Sequence, residues 1–271
     1  MKNKSQKLAD IGIIGGSGFY DFFKTGAKEI EIKTKFGKPS DKITIGVLFG
    51  KRIAFLPRHG KKHQYPPHKI PYLANIAALK FLGVERIIAP AAVGSLRKEI
   101  RAGDFVICDQ FLNFAEMRRD TFFDGPRVAH IETAHPYCSQ LRKIAFEQGK
   151  KIGLKIHSKG TAVIIDGPRF STLAESKFFS KVGGDVINMT QYPEVVLAAE
   201  LGICYLNISL VTDYDVGIYA EKKVKPVSFE QLLTNFKKNT EKLKKLISEI
   251  IKNLAEKKKC DCREKAERAA V

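Results

Sequence analysis

Tryptophan is missing from this 271-residue chain, methionine occurs 3 times and cysteine 5 times. No apolar run approaches the roughly 18 residues that a membrane-spanning helix requires, which excludes a transmembrane segment. The stretch Met1 to Asp10 is basic, and the apolar residues after it give way at once to glycines, so it does not read as a secretory leader. The expected location is the cytoplasm. An odd number of cysteines scattered along such a chain argues against a secreted disulfide framework. Acidic residues are scarce too: 29 Asp and Glu face 47 Lys and Arg, a formal net charge of +18. That excess permits binding to nucleic acid or an acidic surface, or steering of anionic substrates. Much of it, however, lies between Lys237 and Arg268, where Leu243, Leu246, Ile247, Ile250, Ile251 and Leu254 mark one face of a helix. The lysines are read as the solvated face of that helix. Without zinc-finger spacing or an RNP-like aromatic motif, no nucleic-acid partner is expected. The six histidines show no ligand spacing, and no metal is expected.

Cys260-Asp261-Cys262 stands apart. It reads as a redox pair, as a partner for Cys138 or Cys204, as a metal half-site, or as two free thiols on a frayed terminus, and the sequence leaves these open. Intracellular disulfides are typical of hyperthermophiles, whose composition this Lys/Ile-rich chain would suit.

The hydrophobic content of 44% is ordinary for a globular protein with a sizeable core. Strand-like runs at 11–14, 43–49, 52–56, 86–89, 104–108, 161–166, 185–188 and 203–211 alternate with helical patterns at 71–82, 138–150, 172–181, 193–201 and 228–257. The alternation predicts an α/β fold around a buried mixed sheet. No linker-like shift or repeat divides the chain, so one domain over 1–271 is expected, with a basic extension at 1–9 and a Cys-x-Cys tail at 258–271. Long loops at 63–71 and 117–136 concentrate prolines, histidines and aromatics, as site-bearing or subunit-contacting loops do.

Three motifs carry chemistry. Gly15-Gly16-Ser17-Gly18 directly follows an apolar strand, leaving backbone N–H groups bare beside the Ser17 hydroxyl, and Arg58-His59 offers a bidentate cation and a second donor to the same anion. The run lacks the ending of a Walker loop and the spacing of a dinucleotide fingerprint, so it is read either as a plain turn or as a site for free phosphate. Asp213 and Asp215 end a predicted strand, at the edge where open α/β sheets bind ligands, and the bland alternative is an Asx turn exposing both to water.

Together with Val93-Gly94-Ser95-Leu96, Asp109-Gln110-Phe111, Gly167-Pro168-Arg169-Phe170-Ser171-Thr172 and Asp185-Val186-Ile187-Asn188-Met189-Thr190, these segments closely resemble the 5'-methylthioadenosine phosphorylases of the purine nucleoside phosphorylase superfamily. The resemblance runs from about Asp10 to Leu233. It implies a mixed sheet with a distorted barrel flanked by helices, assembly as a trimer or a dimer of trimers, and phosphorolysis of a purine nucleoside at C1'. Inorganic phosphate would be the co-substrate, with no cofactor. It further implies phosphate contacts from Ser17, Arg58, His59, Thr190 and the Ala92 backbone N–H, with Ala91 standing where the family usually has Thr or Ser. Met189 would lie against the ribose and Phe170 on the base, with Ile187 and Asn188 in the same wall. Asp213, Tyr214 and Asp215 would contact the substrate, the two acids recognising the purine and carrying the acid catalysis. His63 would lie near the sugar, and His130 would reach into the 5' pocket of a neighbouring subunit. Phe229, Leu232 and Leu233 would line the chain's own 5' pocket, with Phe229 narrowing it, and Ser171 is associated with specificity. A carboxylic acid at 213 can accept from N6 and donate to N7, which favours adenine over 6-oxopurines. The apolar 5' lining favours a methylthio group over a hydroxyl.

Overall fold

The computed structural model describes residues 7–16, 23, 26–218 and 229–269, with the helix backbone alone over 229–238. Ser17 therefore lies outside the described residues, as do the side chains of Phe229, Leu232 and Leu233.

Among the described residues, eleven strands form a single mixed sheet. Its first half is built on β1 (Ile11–Gly15), whose five residues are all buried, as an uninterrupted apolar run between two neighbouring strands should be. β1 lies parallel to both β4 (Lys51–Pro57) and β5 (Arg86–Ser95). β3 (Ile43–Leu48) and β2 (Lys28–Ile30) extend the β4 side as antiparallel edge strands. α1 (Tyr72–Phe81) connects the loop at 63–71 to β5.

β5 is the branch point. It pairs with β1 at its start, with β11 (Cys204–Tyr214) along its length, and with β10 (Val186–Asn188) at its end. Proline is rarely tolerated in a central strand, and sequence reasoning accordingly stops this strand at Ala89. The strand instead runs through Pro90 to Ser95; pairing with β1 ends at Ile13 opposite Ile88, which leaves that edge of β5 open where the proline falls.

From β5 the pairings close a circuit. β11 pairs antiparallel with β6 (Phe105–Val106), and the stretch from β6 to β7 (Gln110–Phe114) runs parallel to the stretch from β8 (Ile156–His157) to β9 (Thr161–Ile165). The gap between them is bridged by Ile107 N–H to His157 O (3.0 Å) and Asp109 N–H to Gly160 O (3.1 Å). β9 pairs with β10, and β10 returns to β5. This is the distorted barrel that the resemblance implied. β2, β7 and β8 escape the sequence reading because they are short, polar or single-faced.

Helices cover the sheet. α2 (Ser139–Lys151), α3 (Leu173–Lys181) and α4 (Gln191–Glu200) fall close to expectation, α3 starting at a Thr172–Glu175 capping box. α5 (Phe229–Lys252) buries Leu243, Leu246, Ile247, Ile250 and Ile251, with Leu254 just beyond its end, against the sheet, while Lys242, Lys245 and Lys252 face solvent, as read from the sequence. Its predicted continuation to 257 does not form; the chain loops and re-enters a short α6 (Cys262–Ala269) that the sequence reading omits. Among the described residues, no helix is long and apolar enough to cross a membrane.

Candidate active site

The C-terminal ends of β1 and β4, the middle of β5 and the N-terminus of α4 converge on one point, and Arg58 occupies it. Its backbone N–H bonds Gly15 O at 2.9 Å, joining the two strand exits. Its guanidinium is buried and points inward: Nε donates to Glu194 Oε1 at 2.6 Å, one terminal nitrogen to Glu194 Oε2 at 3.0 Å, and the other to Pro90 O at 2.9 Å. Tyr205 donates its hydroxyl to Glu194 Oε2 at 2.7 Å. Burial works against the cation, yet the carboxylate more than offsets it and holds the Arg58 pKa above its ordinary value. Three of five guanidinium N–H groups are thus committed, leaving two for an anion.

His59 corrects an expectation. Burial, reinforced by the Arg58 charge, depresses its pKa to about 4, so the ring is neutral near pH 7. Nδ1 sits 2.9 Å from Tyr65 O, and a carbonyl only accepts, so the proton resides on Nδ1. Nε2 carries a lone pair and is an acceptor, where sequence reasoning had made it a second donor to phosphate. His63, at a left-handed φ of 55°, stacks on it with ring centroids 4.5 Å apart. The nearby His68, on the same 63–71 loop, has a buried Nδ1 without a hydrogen-bond partner.

Asn188 departs from its expected place in the substrate wall. Its Oδ1 accepts from the backbone N–H groups of Thr190 (2.7 Å) and Gln191 (2.8 Å), capping α4, and its Nδ2 donates to Ala92 O at 3.2 Å. These bonds occupy the backbone donors of Thr190 and Gln191, and the Thr190 hydroxyl lies 3.4 Å from the same Oδ1. Ala91 and Thr190 are buried beside this junction.

The acids lie at the far end of β11. Thr212 is bulged out of the ladder, after which Asp213 pairs with Gly94 and Tyr214 with Ser95. A Cβ on Gly94 would meet Asp215 Cβ at 3.0 Å, Asp213 Oδ1 at 3.1 Å and Ile187 Cγ2 at 3.1 Å, so the glycine is what lets both acids and Ile187 close on the strand. Desolvation raises the Asp213 pKa to about 6 against the Thr212 hydroxyl, which reaches Oδ2 at 3.2 Å; the Asp215 charge adds to the rise. Asp215 is buried and also raised by desolvation, but the Ser176 hydroxyl donates to it and Ser171 lies near the same carboxylate. An Asx turn open to water is therefore excluded for Asp215. Strand alternation turns Tyr214 away: its hydroxyl donates to Lys98 O at 3.0 Å, which removes it from the expected substrate contacts.

Met189 links the two ends. Gly167, at φ +67°, passes so close that a Cβ there would lie 2.6 Å from Met189 Sδ and 3.3 Å from Pro67 Cγ, which brings the 167–171 loop and the 63–71 loop together over it. Phe170, on that loop, is 40% exposed. Beside it, Phe114, Ile165, Asp166, Gly167, Arg169, Glu175, Phe178 and Phe179 line a cavity of about 480 Å³. His130 stands apart from the gathered residues, exposed on the 117–136 loop with its N–H bonded to Ala269 O at 2.9 Å. Glu194 is what sequence reasoning missed. The available signal was a carboxylate directly before the apolar run Val195-Val196-Leu197-Ala198 of α4, since a buried acid demands a partner.

Comparison with known proteins agrees with this geometry. Residues 10–252 match the family model described as the phosphorylase superfamily. The S-methyl-5'-thioadenosine phosphorylase of Pyrococcus abyssi is 52% identical over 94% of this chain and 96% of its own. Among solved structures, a methylthioadenosine phosphorylase from an antarctic soil metagenomic library superposes with a TM-score of 0.91 at 38% identity, covering 98% of this chain and 93% of that one. The Schistosoma mansoni methylthioadenosine phosphorylase in complex with adenine gives a TM-score of 0.89 at 33% identity, covering 96% and 97%. Matched in fold and in sequence over nearly its whole length, the chain belongs to the S-methyl-5'-thioadenosine phosphorylases of the phosphorylase superfamily.

Proposed function

We propose that the protein cleaves 5'-methylthioadenosine with inorganic phosphate, giving adenine and 5-methylthioribose-1-phosphate. The observation that carries the reading is Asp213: a desolvated acid with a pKa near 6, one residue from a second buried acid, at the opposite end of the Met189 wall from a buried guanidinium. Phosphate attacks C1', the bond from C1' to the purine nitrogen breaks, and the electron pair of that bond passes into the leaving base. Protonated Asp213 donates to N7 as this charge develops, and Asp215, fixed by Ser176, keeps a neighbouring negative charge that favours protonation of Asp213. The sugar acquires cationic character, and phosphate beneath it both attacks and stabilises it.

At the phosphate end, the two free N–H groups of Arg58, the Thr190 hydroxyl, the Ala92 backbone N–H and Ser17 are the proposed donors. Neutral His59 accepts from a protonated phosphate oxygen through Nε2. Phe170 covers the base, His63 approaches the sugar, and Phe229, Leu232 and Leu233 surround the methylthio group. The working form is a cytoplasmic homotrimer or dimer of trimers, in which the exposed His130 completes a neighbour's 5' pocket. Neither a cofactor nor a metal takes part in this chemistry.

The test is release of adenine from methylthioadenosine with and without phosphate. Turnover that rises from background with phosphate, and yields the sugar phosphate, supports the reading; equal release in phosphate-free buffer would make the protein a hydrolase.

A further inference from the structure

The 117–136 loop has the composition of a site-bearing loop, yet its first half contributes no residue to the site described above. Near its start one side chain turns inward. Arg118 exposes only 2% of its side chain and lies where three segments of the site meet. One terminal nitrogen donates to Tyr192 O, in the first turn of α4. The other donates to Asp166 O at 2.9 Å and to Ile165 O at 3.2 Å, where β9 ends and the 167–171 loop begins. The guanidinium carbon stands 5.2 Å from the centre of the Tyr72 ring, and the Tyr72 hydroxyl donates to Pro67 O at 2.8 Å in the 63–71 loop. Nε faces Asp166 Oδ1 at 3.4 Å without a hydrogen bond. These are the segments that Gly167 brings together over Met189.

From this convergence we propose that Arg118 is a positioning residue for the nucleoside, fixing the Phe170 loop, the Met189 wall and the His63 loop relative to one another. The inference rests on the function proposed above, which supplies the nucleoside. Two of the carbonyls that Arg118 meets are ones that regular structure leaves over. Tyr192 is extended rather than helical (φ −101°, ψ 133°), so its carbonyl turns out of the α4 ladder. Asp166 follows the last residue of β9, beyond the pairing with β7. A buried carbonyl needs a donor, so each of these points becomes an anchor once one is in reach. A guanidinium is planar with donors on separate nitrogens and can bridge two segments at once, which the point charge of an ammonium does not do.

Arg118 reaches out from a fixed base. Thr121 Oγ1 donates to Glu200 Oε1 at 2.6 Å, the Phe122 N–H to Glu200 Oε2 at 2.8 Å, and the Tyr192 hydroxyl to Asp120, so this stretch of loop is pinned to α4. The anion end is held by other bonds. Glu194 and Pro90 O fix Arg58, Asn188 fixes the Thr190 backbone, and the Gln191 side chain is tied to Tyr137 (2.7 Å) and Ser209 (3.2 Å). Loss of Arg118 therefore loosens the base and ribose contacts and spares those to phosphate.

The test is steady-state kinetics of Arg118→Met and Arg118→Lys, with methylthioadenosine and phosphate varied in turn. Both variants should raise the nucleoside KM about 10-fold or more while the phosphate KM stays within about 2-fold, and the lysine should not rescue. A double-mutant cycle reads the coupling: Phe170→Ala should cost about 10-fold in kcat/KM in the wild-type background and much less beside Arg118→Met, whose loop is already loose. Where Arg118→Met folds poorly, Arg118→Gln, which keeps one amide donor, carries the same cycle. Equal rises in both KM values, full rescue by Arg118→Lys, or additive losses in the cycle would make Arg118 a structural cation only and overturn the inference. A wild-type chain that turns over methylthioadenosine with phosphate, matched by its Arg118 variants, would remove this inference and keep the proposed function; a wild-type chain without phosphate-dependent turnover would remove both.

Discussion

The two ends of the site solve the problem of buried charge in opposite ways. At the anion end, Arg58 is neutralised by Glu194, which in turn takes the Tyr205 hydroxyl, so a cation is buried as one member of a pair. At the base end, among the described residues, no cation approaches Asp213 within hydrogen-bond reach; desolvation raises its pKa, and the acid is neutralised by a proton instead. Paired charge is geometrically fixed and insensitive to pH near neutrality, which suits holding a nucleophile in register. Charge relieved by protonation can be handed to a leaving group, which suits the acid. A purely electrostatic site would want Arg58 unpaired; the ion pair instead limits its field and makes it a rigid fork with two donors left.

The largest effect should come from breaking the pair. Glu194→Leu leaves a buried, uncompensated guanidinium and should cost about 3–5 kcal/mol in denaturant unfolding, whereas Arg58→Met/Glu194→Leu, which removes both charges, should recover much of that stability while phosphorolysis stays lost. If the double variant were no more stable than Glu194→Leu, the pairing account would be wrong. A smaller effect is expected at His59, where the neutral ring makes one hydrogen bond to phosphate. His59→Gln should raise the phosphate KM about 3- to 10-fold with kcat little changed, the loss of a hydrogen bond worth about 0.5–1.5 kcal/mol. A fall in kcat with unchanged KM would assign the ring to the chemical step.

Much of this was legible in the chain itself. β1, β4 and β11 are apolar runs whose burial was evident, and Gly15-Gly16, Arg58-His59 and Asp213-Tyr214-Asp215 stand at their ends as expected. What stayed hidden depends on which partner each side chain takes once the chain is folded. Glu194 is 136 residues from Arg58, and its local sequence calls for a partner without saying which. The protonation site of His59 is set by Tyr65 O, and the commitment of Asn188 by the first turn of α4; residue type alone shows neither. Tyr214 was misplaced because it sits between two site residues in sequence, although a strand sends it to the other face. α6 was missed because Cys262–Ala269 is short and polar, without an apolar stripe, whereas the approach of Cys260 and Cys262 to Cys138 and Cys204 is among the readings that the sequence left open.

The central claim, that the base end works through a proton on Asp213, is tested most directly by the pH dependence of kcat/KM for methylthioadenosine. Asp213 has a folded pKa near 6, above its ordinary 3.8, so the protonated acid is present below that value and is lost as pH rises through it. The wild-type profile should therefore carry a descending limb starting near pH 6, and in Asp213→Asn that limb should vanish together with about 100-fold or more of the activity toward adenine nucleosides. A limb that persists unchanged in Asp213→Asn would place the titrating acid elsewhere and contradict the account.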